Sequence, residues 1–238
     1  METDATQDIG VDRGIFVRGT PIWLDAQRKK SHVILTSILD RLPAKHERLL
    51  TSISMAAMLD RAGLQVPVLP GTFRQWMGFG GRQVQLVELG GSQAETGVLL
   101  DDGNRRTLVL PSLVPGIDAL PPVDHLVVMA RAFGHVGDAL ASTLDELVKG
   151  SQDSTRKIIR VETLGVALEV MRFLESQGVA VRPIGLLGRL CPKAAGPRHA
   201  WVLAFPKEKV RGIGDEVILN TGCGGLNRPG AQAVRYYG

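Results

Sequence analysis

The chain has 238 residues, of which 44% are apolar, 22% charged and 5% aromatic, with a formal net charge of +4. That length and apolar content suit one large buried core. No run of about 18 apolar residues is present, which argues against a spanning helix. The acidic, polar start METDATQDIG argues against a secretory leader. Only two cysteines, Cys191 and Cys223, lie far apart, as expected for a reducing cytoplasm rather than a disulfide framework.

In chain order, residues 1–12 read as a loose tail, and 13–238 as one domain. Alternation in Ile15–Arg18 and Pro21–Leu24 predicts a hairpin turned at Gly19-Thr20. His32–Thr36 is a short buried strand, followed by a loop through Ala44–Arg48. Apolar residues at helical spacing over Ser52–Ala62, stopped by Gly63, predict a helix. Strand-like runs follow at Val66–Leu69, Val84–Leu89, Thr96–Leu100 and Arg106–Leu110, the last two joined by the turn Asp101-Asp102-Gly103-Asn104.

The second half changes rhythm. Val123–Ala130 reads as a strand buried on both faces. Leu140–Val148 is a predicted helix, Lys157–Glu162 a strand and Leu164–Gln177 an amphipathic helix closed by Gly178. Val179–Val181, Ala200–Phe205 and Glu216–Asn220 are further strands, the last leading into Gly222, Gly224 and Gly225. Many strands, then alternating strands and helices, predict an α/β sandwich: two packed sheets with outer helices.

The segment Gly19–Ala26 (GTPIWLDA) followed by Ser31–Ala57 (SHVILTSILDRLPAKHERLLTSISMAA) resembles the opening of metallo-β-lactamase-fold hydrolases, nearest the RNA- and DNA-processing nuclease branch. The resemblance implies an αββα sandwich, here shortened at the C-terminus. In that family the strand ends in a His-x-His-x-Asp-His loop holding two metal ions. The matching positions here are Ser37, Leu39, Arg41 and Leu42. Later ligand positions fall on Gly91, within Leu89–Ala94, and on Ser112, within Leu108–Leu113. The final histidine motif would lie beyond Gly238, past Thr221–Ala231. Leucine offers no lone pair, and a cationic Arg41 repels a dication.

The resemblance therefore implies a pseudoenzyme with no catalytic residue, no metal and no cofactor. It would retain a vestigial groove lined by Ser37, Leu39, Arg41, Leu42, Gly91 and Ser112. A protein partner or a second copy is the expected ligand, with no membrane contact. Two alternatives stand beside it: an active metal-dependent hydrolase or nuclease with a rearranged site, and a nucleic-acid-binding module contacting phosphates through Arg28, Lys29 and Lys30. The plain reading of those three cations is a solvated turn. Among the five histidines none lies two residues from another, and the nearest couple, His125 and His135, reads as one core and one surface residue. Gly78–Gly81 and Gly185–Gly188 read as turns rather than phosphate loops. Cys223 reads as a small buried thiol.

Overall fold

The computed structural model describes residues 9–11, 15–39, 41–89, 95–111, 121–128, 144–149, 157–161, 163–192, 201–210, 215–220 and 232–235. These form an α/β fold with three sheets. The first contains β1 (Ile9–Val11), β2 (Ile15–Val17), β3 (Ile22–Leu24), β4 (His32–Ile34), β5 (Arg48–Ser52) and β6 (Val68–Gly71), in that spatial order. β1, β2 and β3 are antiparallel, whereas β3, β4, β5 and β6 are parallel. The second sheet runs β11 (His125–Val128), β10 (Arg106–Leu110), β9 (Thr96–Asp101), β8 (Arg82–Glu88), β7 (Trp76–Phe79). The third is parallel throughout, in the order β13 (Val181–Pro183), β14 (Trp201–Ala204), β12 (Lys157–Arg160), β15 (Asp215–Asn220), β16 (Gln232–Arg235).

Successive strand residues face opposite ways, and the first sheet uses both faces. Ile22, Leu24, Ile34 and Leu50 pack with Val84, Leu86, Val98, Leu100 and Val109 of the second sheet. Val33 and Leu49 turn the other way, into a core shared with the helices and the third sheet. That double burial explains the unbroken apolar runs Val33-Ile34-Leu35 and Leu49-Leu50. Each fully buried leucine or isoleucine contributes about 1.5–3 kcal/mol.

Helix α1 (Ile53–Arg61) starts where the Ser52 hydroxyl accepts from the Met55 amide at 3.3 Å, and it buries Met55 and Leu59. A helical turn, α2, covers 144–149 and buries Leu144. In α3 (Leu164–Ser176), the Thr163 hydroxyl caps the Val166 amide at 3.2 Å, and Val166, Ala167, Val170, Met171 and Leu174 form the buried stripe. The chain leaves α3 at Gly178, whose φ of +74° a side chain would strain. Gly103, at φ +91°, closes the expected β9–β10 turn in the same way. α4 (Gly185–Leu190) completes the helices and buries Leu186, Leu187 and Leu190.

Several sequence expectations need correction. Ile9–Val11 lies in the stretch read as a tail, yet pairs with β2. Within the run read as Val123–Ala130, the described strand β11 is not buried on both faces: among the described residues it is the edge strand beside β10, and Leu126 is 50% exposed. Gly185–Gly188 opens a helix instead of forming a turn. β5, β7 and β16 were not anticipated, and the parallel strands β12 to β16 form their own sheet rather than joining one of two. Among the described residues, no helix is long and apolar enough to cross a membrane.

Candidate functional site

The loop leaving β4 is where the first sheet, the second sheet and the helical layer meet. Asp25, just after β3, adopts φ +46° and is 4% exposed. Its amide donates to the Ile34 carbonyl at 3.0 Å. Its carboxylate accepts from the Thr36 amide at 2.7 Å and the Thr36 hydroxyl at 2.5 Å. A buried carboxylate needs such donors, because the bare charge would be costly to desolvate. The Thr36 carbonyl accepts from the Thr96 amide at the head of β9, and the Ile38 carbonyl from the Leu164 amide at the head of α3, both at 2.9 Å.

Within this stapled loop the expected groove residues separate. Ser37 is 3% exposed, and its hydroxyl is buried without a hydrogen-bond partner among the described residues. Ile38 is in the core, and Leu42 packs against it. Leu39 is half-buried, while Arg41 is exposed to solvent. Gly91 and Ser112 lie outside the described residues. Ser37 and Leu42 thus face inward, and Arg41 faces out.

Beside the loop stands a carboxylate pair that sequence reasoning missed. Glu95 Oε1 accepts from the Thr163 hydroxyl at 3.1 Å, next to the two residues whose amides hold the loop. The Glu95 carboxyl also lies over Gly165, where a Cβ would come within 2.7 Å of it. Glu169 holds its proton more tightly than a free glutamate, chiefly through burial and then through the charge of Glu95, with Arg172 opposing. Glu95 and Glu169 are distant in sequence and share no local pattern, so only the fold brings them together. No group of three or more His, Cys, Asp or Glu residues is placed to share a metal ion among the described residues.

A second cluster lies on the returns into β4 and β5. Arg28 and Lys29 are exposed, and the Lys30 ammonium sits 3.3 Å from the centre of the Trp23 ring. The Glu47 amide donates to the Lys30 carbonyl at 3.1 Å and the Arg48 amide to the Ser31 carbonyl at 2.9 Å. Those bonds bring the exposed Lys45 and Arg48 to the same two loops as Arg28-Lys29-Lys30. Buried His46 joins the loops, its Nδ1 accepting from the Lys30 amide at 3.2 Å.

The remaining candidates are scattered. His32 meets Phe79 edge-on at 5.2 Å between ring centres. His125 is half-buried on β11, and His135, His199 and Cys223 lie outside the described residues. Burial pushes the Cys191 thiol up, which leaves little thiolate at neutral pH.

No family model matches this chain, and no curated protein does. Among solved structures, it is similar to a protein of unknown function from Enterococcus faecalis V583. The identity is 6% and the TM-score 0.45, over 79% of this chain and 62% of that one, so this chain spans less than two thirds of that protein's length.

Proposed function

We propose that this protein is a metallo-β-lactamase-fold pseudoenzyme that acts as a protein-binding or structural subunit. One observation carries the reading. The loop at the family's metal-binding position is built into the interior, with its Thr36 and Ile38 carbonyls bonded to β9 and α3 and Leu42 packed on the core. A metal loop must instead turn several lone pairs toward one point. Ser37, Leu39, Arg41 and Leu42 do not supply them, and without a Lewis acid the fold has no means of ionising water at neutral pH. The face-to-face packing of the first two sheets supports the sandwich part of the proposal.

For the partner, a protein surface or a second copy fits the half-exposed Leu126 on β11 and the exposed Trp76 on β7, the two edge strands of the second sheet among the described residues. Elemental analysis and native mass on one untreated sample test the whole reading. A metal-poor sample that is dimeric or carries a bound protein is expected. Stoichiometric zinc or manganese with hydrolytic activity would refute it and favour a rearranged hydrolase.

A second reading, contact with nucleic acid, is favoured by the five cations on the two bonded loops: Arg28, Lys29, Lys30, Lys45 and Arg48. Its test is a salt-dependent shift with a single-stranded oligonucleotide. Absence of binding at about 50 mM salt removes it, since phosphate contacts are strongest there.

A further inference from the structure

His46 is 3% exposed, yet it sits between two charged loops. Loop 25–31 leads from β3 into β4, and loop 41–47 leads from β4 into β5. Three bonds close the seam between them. Two are ordinary backbone bonds, Glu47 amide to Lys30 carbonyl and Arg48 amide to Ser31 carbonyl. The third runs from the Lys30 amide to His46 Nδ1. An imidazole nitrogen accepts only while it carries no proton. The neutral tautomer here therefore has its hydrogen on Nε2, which is buried without a hydrogen-bond partner among the described residues.

We propose that His46 is a proton-operated latch: neutral, it locks the 25–31 loop onto the entry to β5, and protonated, it releases that loop with its cations. A proton on Nδ1 would set an N–H against the Lys30 N–H, so the acceptor becomes a second donor and the bond cannot persist. The charges around the ring work in the same direction. Loop 25–31 supplies Arg28, Lys29 and Lys30, and loop 41–47 with the first residue of β5 supplies Arg41, Lys45 and Arg48. Against these stand Glu47, which is exposed, and Asp25, whose carboxylate is engaged by Thr36. His32, at the start of β4, turns toward Phe79. An imidazolium would thus enter a seam that is cationic on balance.

Burial lowers the proton affinity of His46 below the ordinary histidine value of 6.5, with the Ala26 backbone as a weaker opposing influence. The closed seam consequently binds fewer protons than the open one. Closure is complete above pH 6.5 and weakens as pH falls below it. The inference concerns regulation of the basic loop and holds whether its partner is a nucleic acid or another acidic surface.

Hydrogen–deuterium exchange of the full chain between pH 5 and 8, corrected for intrinsic exchange rates, tests the latch. Peptides covering 27–31 and 44–50 should lose protection below pH 6.5, by about tenfold for each unit separating the closed and open affinities. The β8–β9 hairpin should stay protected throughout. In His46→Gln, whose amide oxygen can still accept from Lys30, the step should disappear. No step in the wild type, the same step in His46→Gln, or uniform loss across all peptides would overturn the latch. Should that variant fail to fold, NMR titration of the His46 ring in the wild type decides: a midpoint below 6.5 supports the latch, and one at or above 6.5 overturns it.

Discussion

Replacing Arg160 by methionine should remove a large share of this protein's stability, although the substitution puts an apolar side chain at an interior position. Arg160 ends β12 in the third sheet and is 5% exposed. Its Nη1 donates to the carbonyls of Phe205 at 3.0 Å, Pro206 at 3.2 Å and Glu208 at 2.9 Å. That nitrogen has two hydrogens, so three acceptors share the strength of two bonds from a charged donor, each worth about 1.5–3 kcal/mol. Removing the guanidinium recovers part of its desolvation cost, but the three carbonyls stay behind without their donor. A net loss of about 3–5 kcal/mol follows, against a typical total of about 5–15 kcal/mol. The damage also propagates to α4, because Glu208 Oε1 accepts from the Leu186 amide at 2.8 Å. Thermal unfolding followed by circular dichroism should show a midpoint lowered by roughly 10 °C. Arg160→Lys, which keeps charge but loses the forked geometry, should fall between the two. A loss under about 1 kcal/mol in Arg160→Met would refute the reasoning, since those hydrogen bonds would then contribute little.

Two further outcomes test the packing and the carboxylate pair. Gly188→Ala lies within a helix, where propensity alone favours alanine by about 1 kcal/mol. The new Cβ would lie 2.9 Å from the Pro183 carbonyl oxygen, so a destabilisation of about 1–3 kcal/mol is expected in urea unfolding, and a gain in stability would contradict it. Glu169 binds its proton more tightly when folded, so its contribution is present below the ordinary glutamate value of 4.5 and is lost as pH rises through the higher folded value. Glu169→Gln should therefore flatten that part of the stability–pH curve. An unchanged curve would mean that burial and the charge of Glu95 do not raise the proton affinity of Glu169.

Much of the secondary structure was legible because local chemistry dictates it. The helical spacing before Gly63, the buried stripe of α3 before Gly178 and the Gly103 turn each depend on residues a few positions apart. Apolar runs such as Val33–Leu35 likewise announce strands covered on both sides. Local pattern could not say which sheet a strand joins. The run at 123–130 looked central, but pairing placed β11 at an edge with Leu126 half exposed, because register and sheet order depend on partners far along the chain. Gly185–Gly188 looked like a turn, yet tertiary packing of Leu186, Leu187 and Leu190 makes it helical.

The same division runs through the site. By itself, the sequence determined which side chains occupy the loop after β4, with Ser37, Leu39, Arg41 and Leu42 among them. Tertiary structure alone decided that Ser37 is enclosed and Arg41 solvated, that Glu95 reaches Thr163 across 68 residues, and that His46 closes the seam at Lys30. The physical reason is range: side-chain chemistry belongs to each residue, whereas burial, charge proximity and hydrogen-bond partnership arise only when distant segments pack together.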